Sequence, residues 1–141
     1  MAQPISKKEY EMLASFRYAL RQFQRFSETA VRQAGITPKQ HQALLAIAGF
    51  PNQDQITVSE LAERLQVRHH SVVGLVNRLV IQELVKREPG EVDRREVYIS
   101  LTPQGNEILA QLSTTHRQEL RRIGPQLNML LEQLTVEDFV S

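Results

Sequence analysis

The chain has 141 residues, 41% of them hydrophobic, with 17 basic and 16 acidic side chains, a formal charge of +1 and no cysteine. That bounds it to one domain, or one domain with helical extensions, and excludes disulfides and thiol-based redox chemistry. No run approaches the ~18 consecutive apolar residues of a membrane span, and the opening MAQPISKKEYEML lacks the apolar core of a secretory signal, so a cytoplasmic protein is expected.

Ser6 and Glu9 have capping-box spacing and open a long helix expected to run to about Gln33, ended by Gly35. It carries Tyr10, Leu13, Phe16, Tyr18, Leu20, Phe23, Phe26 and Val31, an apolar set spread wider than one core-facing stripe requires. Thr37, Pro38 and Gln40 start the next helix with a cap, a first-turn proline and a closing glutamine. Its expected core face is Leu44, Leu45, Ile47 and Ala48.

Thr57 and Glu60 form a third box, followed by Val58, Leu61, Ala62 and Leu65 at helical spacing. Gln66 to Arg68 interrupts that stripe, and Val72, Leu75, Val76 and Leu79 resume it. Two short stripes so close together must cross sharply over one core. The second helix then turns His69, His70, Val73, Gly74, Asn77 and Arg78 to solvent along roughly 20 Å, enough to lie in a major groove. Leu84 to Glu88 reads as a strand, Pro89 and Gly90 as its turn, and Val97–Leu101 as a returning strand with strict alternation. Arg94 and Arg95 therefore sit on a two-stranded projection, where a guanidinium can enter a minor groove. Helix, turn, helix and charged hairpin in this order are the layout of a winged helix-turn-helix. Between Thr57 and Leu101 the basic residues Arg64, Arg68, Arg78, Lys86, Arg87, Arg94 and Arg95 are matched by as many acids. DNA affinity must then come from where charges sit and not from their total.

Thr102–Pro103 opens a last helix bearing Ile108, Leu109, Leu112, Leu120 and Ile123; a break is expected at Gly124–Pro125, with Leu127, Leu130, Leu131 and Leu134 beyond it. The closing LTVEDFVS looks like the start of another helix, with Thr135 and Asp138 suitably spaced. The fold expected is mainly α with a small β-wing. Residues 1–34 form an N-terminal dimerisation helix, 35–101 the winged helix-turn-helix and 102–141 the C-terminal dimerisation helices. Long terminal helices would leave apolar stripes wet in a monomer, and a two-fold homodimer buries them. The alternative is that both ends fold back on the winged domain.

The segments TVSELAERL, VVGLVNRL, DRREVYISLT, TPQG and, upstream, GITPKQHQALLAIA resemble the MarR family of bacterial and archaeal transcription regulators over nearly the whole chain. The resemblance implies an Asp-x-Arg wing, Asp93–Arg94–Arg95, whose arginine meets the minor groove while Asp93 holds the wing by ion pairing. It also implies a ligand cleft between the dimer helices and the winged domain, commonly for anionic aromatic effectors. Arg17, Tyr18, Arg21 and His41 are candidates to line it. Three features depart from the family: Arg68 where a Ser or Thr N-cap is usual, Gly74 on the exposed helix face, and His69–His70 in place of small residues.

No Ser/His/Asp motif or phosphate loop points to an enzyme. Of the histidines His41, His69, His70 and His116, the adjacent pair point about 100° apart on a helix, so no metal site or cofactor is expected. The expected DNA contacts are Arg68, His69, His70, Ser71, Val73, Gly74, Asn77, Arg78, Lys86, Arg87, Arg94 and Arg95. The function expected is a homodimeric repressor on a pseudo-palindromic double-stranded operator, released by a small aromatic or anionic effector. The rival is a winged-helix protein–protein interaction module without DNA binding, against which Asn77, Arg78 and the paired wing arginines argue.

Overall fold

The computed structural model describes residues 4–136. Its elements are α1 (Lys7–Gln33), α2 (Pro38–Ala48), β1 (Ile56–Thr57), α3 (Val58–Leu65), α4 (His69–Ile81), β2 (Val85–Pro89), β3 (Val97–Leu101) and α5 (Pro103–Leu134). They fall into two compact units, one of Val31–Ser113 and one of Met1–Ala30 with Thr114–Ser141.

All three capping boxes form. Glu9, Gln40 and Glu60 each donate a backbone N–H to the hydroxyl three residues earlier, at 3.1, 3.2 and 3.1 Å. Their side chains return the bond to the backbone N–H of Ser6, Thr37 and Thr57. Each box satisfies two amides that a helix start otherwise leaves unpaired.

Three of the four helix ends in the winged unit, those of α1, α3 and α4, share one geometry. After α1, Ile36 N–H donates to Val31 O and Gly35 N–H to Arg32 O, with Gly35 left-handed at φ 88. The same paired bonds close α3 through Gln66 (φ 55) and α4 through Glu83 (φ 61). This is the Schellman arrangement, which recaptures carbonyls at a helix end, here twice without glycine. The residue after each turn supplies an apolar side chain, and two of these, Ile36 and Leu84, are buried.

The core of the winged unit is where the helical spacing puts it. Val72, Leu75, Val76 and Leu79 of α4 are all buried, as are Leu61 and Ala62 of α3. On α2 the buried face is Gln40, His41, Ala43, Leu44 and Ile47, whereas Leu45 is 46% exposed and Ala48 is exposed. The expected face was therefore wrong in half its members: Leu45 and Ala48 follow Leu44 and Ile47 by one residue, about 100° around the helix.

The sheet has three strands in the order β1-β3-β2, all antiparallel. The strand β1, which pairs Ile56 with Ile99 and Thr57 with Tyr98, was not expected. Two residues carry no periodicity to read, and Thr57 signals a helix cap more strongly than a strand. Pro89 is also not the turn: it ends β2 opposite Val97, and the chain reverses farther out, where Glu96 N–H donates to Asp93 O at 3.1 Å. A proline fits there because β2 is an edge strand and its end needs no amide donor.

In the other unit, His116 Nε2 lies 2.6 Å from Ser27 Oγ, and the rings of Phe23 and Phe26 meet the imidazole edge-on at 5.9 and 6.2 Å. Met12, Ala19, Ile123 and Leu130 are buried. Tyr10 and Tyr18 remain 59% exposed, Met129 52%, Leu120 46%, Leu13 45% and Leu131 44%. The break expected at Gly124–Pro125 is absent, since α5 runs through Pro125 to Leu134. A proline removes one i→i−4 bond and crowds one carbonyl. Gly124 before it has no Cβ to clash with the ring, and buried Ile123 and Leu130 anchor the helix on both sides. Of the further helix expected from LTVEDFVS, Thr135 bonds back to Leu131 O beyond the end of α5, and Asp138 lies outside the described residues.

Candidate nucleic-acid interface

Helix α4 begins without a side-chain cap. Arg68 stands at the N-cap in extended conformation (φ −72, ψ 148), and only its carbonyl serves, accepting from Ser71 and Val72 N–H at 3.1 and 3.2 Å. The cap position thus carries a cation facing solvent in place of a hydroxyl. Because α4 spends Val72, Leu75, Val76 and Leu79 on the core, His69, His70, Ser71, Val73, Asn77 and Arg78 are left exposed, and Gly74 is half-buried. A Cβ built on Gly74 meets nothing within 4 Å. Ile81, 80% exposed at the end of the helix, is an apolar member of this surface that periodicity alone did not single out.

Beside α4 lies an open groove of about 930 Å³, walled by the end of α1, the start of α2, the end of α3 and the α4 face. Its lining includes Arg32, Lys39, Arg64 and Arg78 and no acidic residue. All four are exposed, and among the described residues none of them is in a salt bridge. Arg64 also rests its guanidinium over the Phe50 ring at 5.1 Å, which holds it in place. Arg32, Lys39 and Arg64 were missed in the sequence because they come from three different elements.

The wing is organised around Asp93. Its carboxylate accepts from the backbone N–H of Arg95 at 3.0 Å and from that guanidinium at 3.2 and 3.3 Å. Those bonds, the side-chain one foremost, hold the Asp93 carboxyl below its ordinary value of 3.8. Gly90 N–H donates across to Glu96 O at 2.8 Å, and any Cβ on Gly90 would strike the Asp93 carbonyl. Glycine is therefore required there for closeness, not for turn geometry. The Tyr98 hydroxyl donates to Glu96 at 2.9 Å, and its pKa is raised, first because ionisation would give up that bond and then because it would place a phenolate beside the carboxylate.

The wing cations do not share one environment. Lys86 is paired with Glu88 at 3.0 Å on β2. Arg87 donates from Nη2 to Asn77 Oδ1 on α4. Arg95 is exposed but held by Asp93, and Arg94 is exposed with no salt bridge among the described residues. The residues considered for an effector divide between the units: Arg17, Tyr18 and Arg21 lie exposed on α1, while His41 is buried in the winged unit at 4% exposure. Among the described residues no cluster of three or more His, Asp or Glu side chains is placed to hold a metal. No helix among them is long and apolar enough to cross a membrane.

The MarR family model matches residues 34–96, from the turn before α2 to the tip of the wing. Over that segment the chain is similar to the MarR family. The chain is 33% identical over 77 residues to the HTH-type transcriptional repressor MdtR of Bacillus subtilis, an alignment covering 55% of this chain and 48% of MdtR. It spans about half the length of the first curated relatives it matches. Among solved structures it resembles RV1404 of Mycobacterium tuberculosis, at 26% identity and a TM-score of 0.71 over 89% of this chain and 84% of that one. It also shares the fold of a mutant MepR of S. aureus bound to an oligodeoxyribonucleotide, at 21% identity and a TM-score of 0.68 over 81% and 82% of the two chains. The curated relatives it matches are named as regulators or repressors of transcription.

Proposed function

We propose that this chain is a homodimeric DNA-binding transcription regulator that represses from a pseudo-palindromic operator. The observation that carries the proposal is the solvent face of α4 standing beside a groove with Arg32, Lys39, Arg64 and Arg78 and no acid. Helix α4 would enter the major groove, the four cations would follow the flanking phosphates, and the wing arginines would reach the next minor groove. The overall charge of +1 gives no bulk attraction, so affinity depends on this local arrangement. Repression is favoured by the likeness to MdtR, which is named a repressor. A dimer is favoured by the half-exposed Tyr10, Leu13, Tyr18, Leu120, Met129 and Leu131 of the helical unit, apolar surface that a second copy would cover.

Control by a small anionic or aromatic molecule belongs to the same proposal. It draws on Arg17, Arg21 and Tyr18, whose cations and ring are exposed on α1. Such a molecule would act by changing the spacing of the two α4 helices, which a two-fold operator fixes geometrically.

The test is titration of the protein with its own upstream intergenic DNA at two salt concentrations, alongside sedimentation of the free protein. A regulator binds one segment selectively, weakens steeply with salt and sediments as a dimer. Equal affinity for every segment, or none, would overturn the proposal.

A further inference from the structure

The contact between Arg87 and Asn77 joins the wing to the exposed face of α4. Arg87 Nη2, on β2, donates to the side-chain oxygen of Asn77, and both side chains are otherwise open to solvent. The two residues belong to the same compact unit. Arginine has only donors, whereas an asparagine amide has an oxygen that accepts and a nitrogen that donates. An unrestrained Asn77 can present either end to a ligand. With Arg87 beside it, the oxygen must turn inward and Nδ2, with its two N–H groups, is the end left to face outward.

We infer that Arg87 is a positioning residue that sets what Asn77 can read, making it a donor toward bases with a major-groove acceptor. The inference rests on the DNA-binding reading above and deepens it. In the major groove guanine offers N7 and O6, adenine N7 and thymine O4, while cytosine offers only the N4 amino donor. A fixed N–H₂ edge meets an acceptor on the first three and a like donor on cytosine. Asn77 therefore discriminates against cytosine at one position of each half-site. Arg87 acts without touching that base. The arrangement also explains why an arginine on an exposed strand is directed back at a helix: its charge is not what α4 requires, its inability to accept is.

The experiment first selects the preferred sequence from a random duplex library with the full chain. Affinities are then measured for every single-base-pair replacement with the wild type, Arg87→Gln, Asn77→Ala and the double variant. Each affinity is expressed as a ratio to the preferred sequence, which cancels the uniform loss of a cation. Glutamine both donates and accepts, so in Arg87→Gln the Asn77 amide is free to adopt either orientation. The wild type is expected to reject cytosine about tenfold or more at one position per half-site, within the range of a single base-edge contact. Arg87→Gln should cut that ratio to within about twofold at that position and leave the other positions unchanged. Asn77→Ala should lose discrimination at the same position, with no further loss in the double variant. A full wild-type specificity profile in Arg87→Gln, or losses by the two single variants at different positions, overturns the inference alone. A wild type with no preferred sequence overturns the DNA reading as well. Thermal melts of the variants check that these exposed substitutions leave the fold intact.

Discussion

The carbonyl oxygen of Leu84 lies directly over Gly105, so close that a β-carbon on that residue would overlap it. Around this contact Thr102 N–H donates to Leu84 O at 3.1 Å, Thr102 Oγ1 donates to Glu83 O at 2.6 Å, and Gly105 N–H donates to Thr102 Oγ1 at 3.0 Å. The first turn of α5 is thereby fastened to the segment that leads from α4 into the wing. Gly105→Ala should destabilise the protein by about 1–3 kcal/mol, the usual cost of overfilling a packed site. Helix propensity alone gives the opposite sign, a gain of ~1 kcal/mol. Urea unfolding of the two proteins decides between them, and a more stable mutant would show that the contact relaxes freely.

Glu83 occupies a left-handed turn at φ 61 where its side chain costs energy and does not serve the turn. A non-glycine residue there loses roughly 1–2 kcal/mol to the clash of its Cβ, and glycine gives part of that back as unfolded-state entropy, about 0.5–1 kcal/mol. Glu83→Gly should therefore stabilise by up to about 1 kcal/mol, and Glu83→Val should destabilise by at least as much. Thermal unfolding in which the two variants move in the same direction would remove backbone strain as the cause.

Gly74 has open space where a side chain would begin. Gly74→Ala should raise the stability of the free protein by up to ~1 kcal/mol through helix propensity. If the helix backbone approaches DNA closely at this point, the same methyl group weakens operator binding. A melt reports the first effect and a titration at fixed salt the second. Binding equal to or tighter than wild type would move the close approach elsewhere, toward His69, His70 and Ser71.

The Asp93–Arg95 pair makes the wing sensitive to acid. Asp93 is depressed below 3.8 in the folded protein, so the order it lends is complete above the ordinary carboxylate value and is lost as pH falls through the lowered one. Amide exchange at Arg95, whose N–H donates to Asp93, should accelerate relative to its base-catalysed expectation only in that acid range. An Arg95 amide equally protected in Asp93→Asn would show that the carboxylate is not what holds it. For DNA, Arg95→Ala should cost at least ~1 kcal/mol per half-site, with Arg94→Ala as its comparison. The larger effect identifies which guanidinium enters the groove.

Much of this protein was decided by rules that act over a few residues. The capping boxes at Ser6, Thr37 and Thr57 and the buried row Val72, Leu75, Val76 and Leu79 depend on spacing along one helix, which a sequence displays directly. The same holds for the exposed face of α4, which is what remains once that row is committed to the core. Tertiary structure alone decided the rest. The two residues of β1 form a strand only because β3 offers its free edge, and Pro125 stays helical because the residues on either side are anchored. Gly105 is required by Leu84, the groove gathers Arg32, Lys39 and Arg64 from three elements, and Arg87 reaches Asn77 across the start of the wing. Each of these depends on groups distant in sequence meeting in space, and a linear pattern carries no trace of a contact whose two halves obey separate local rules.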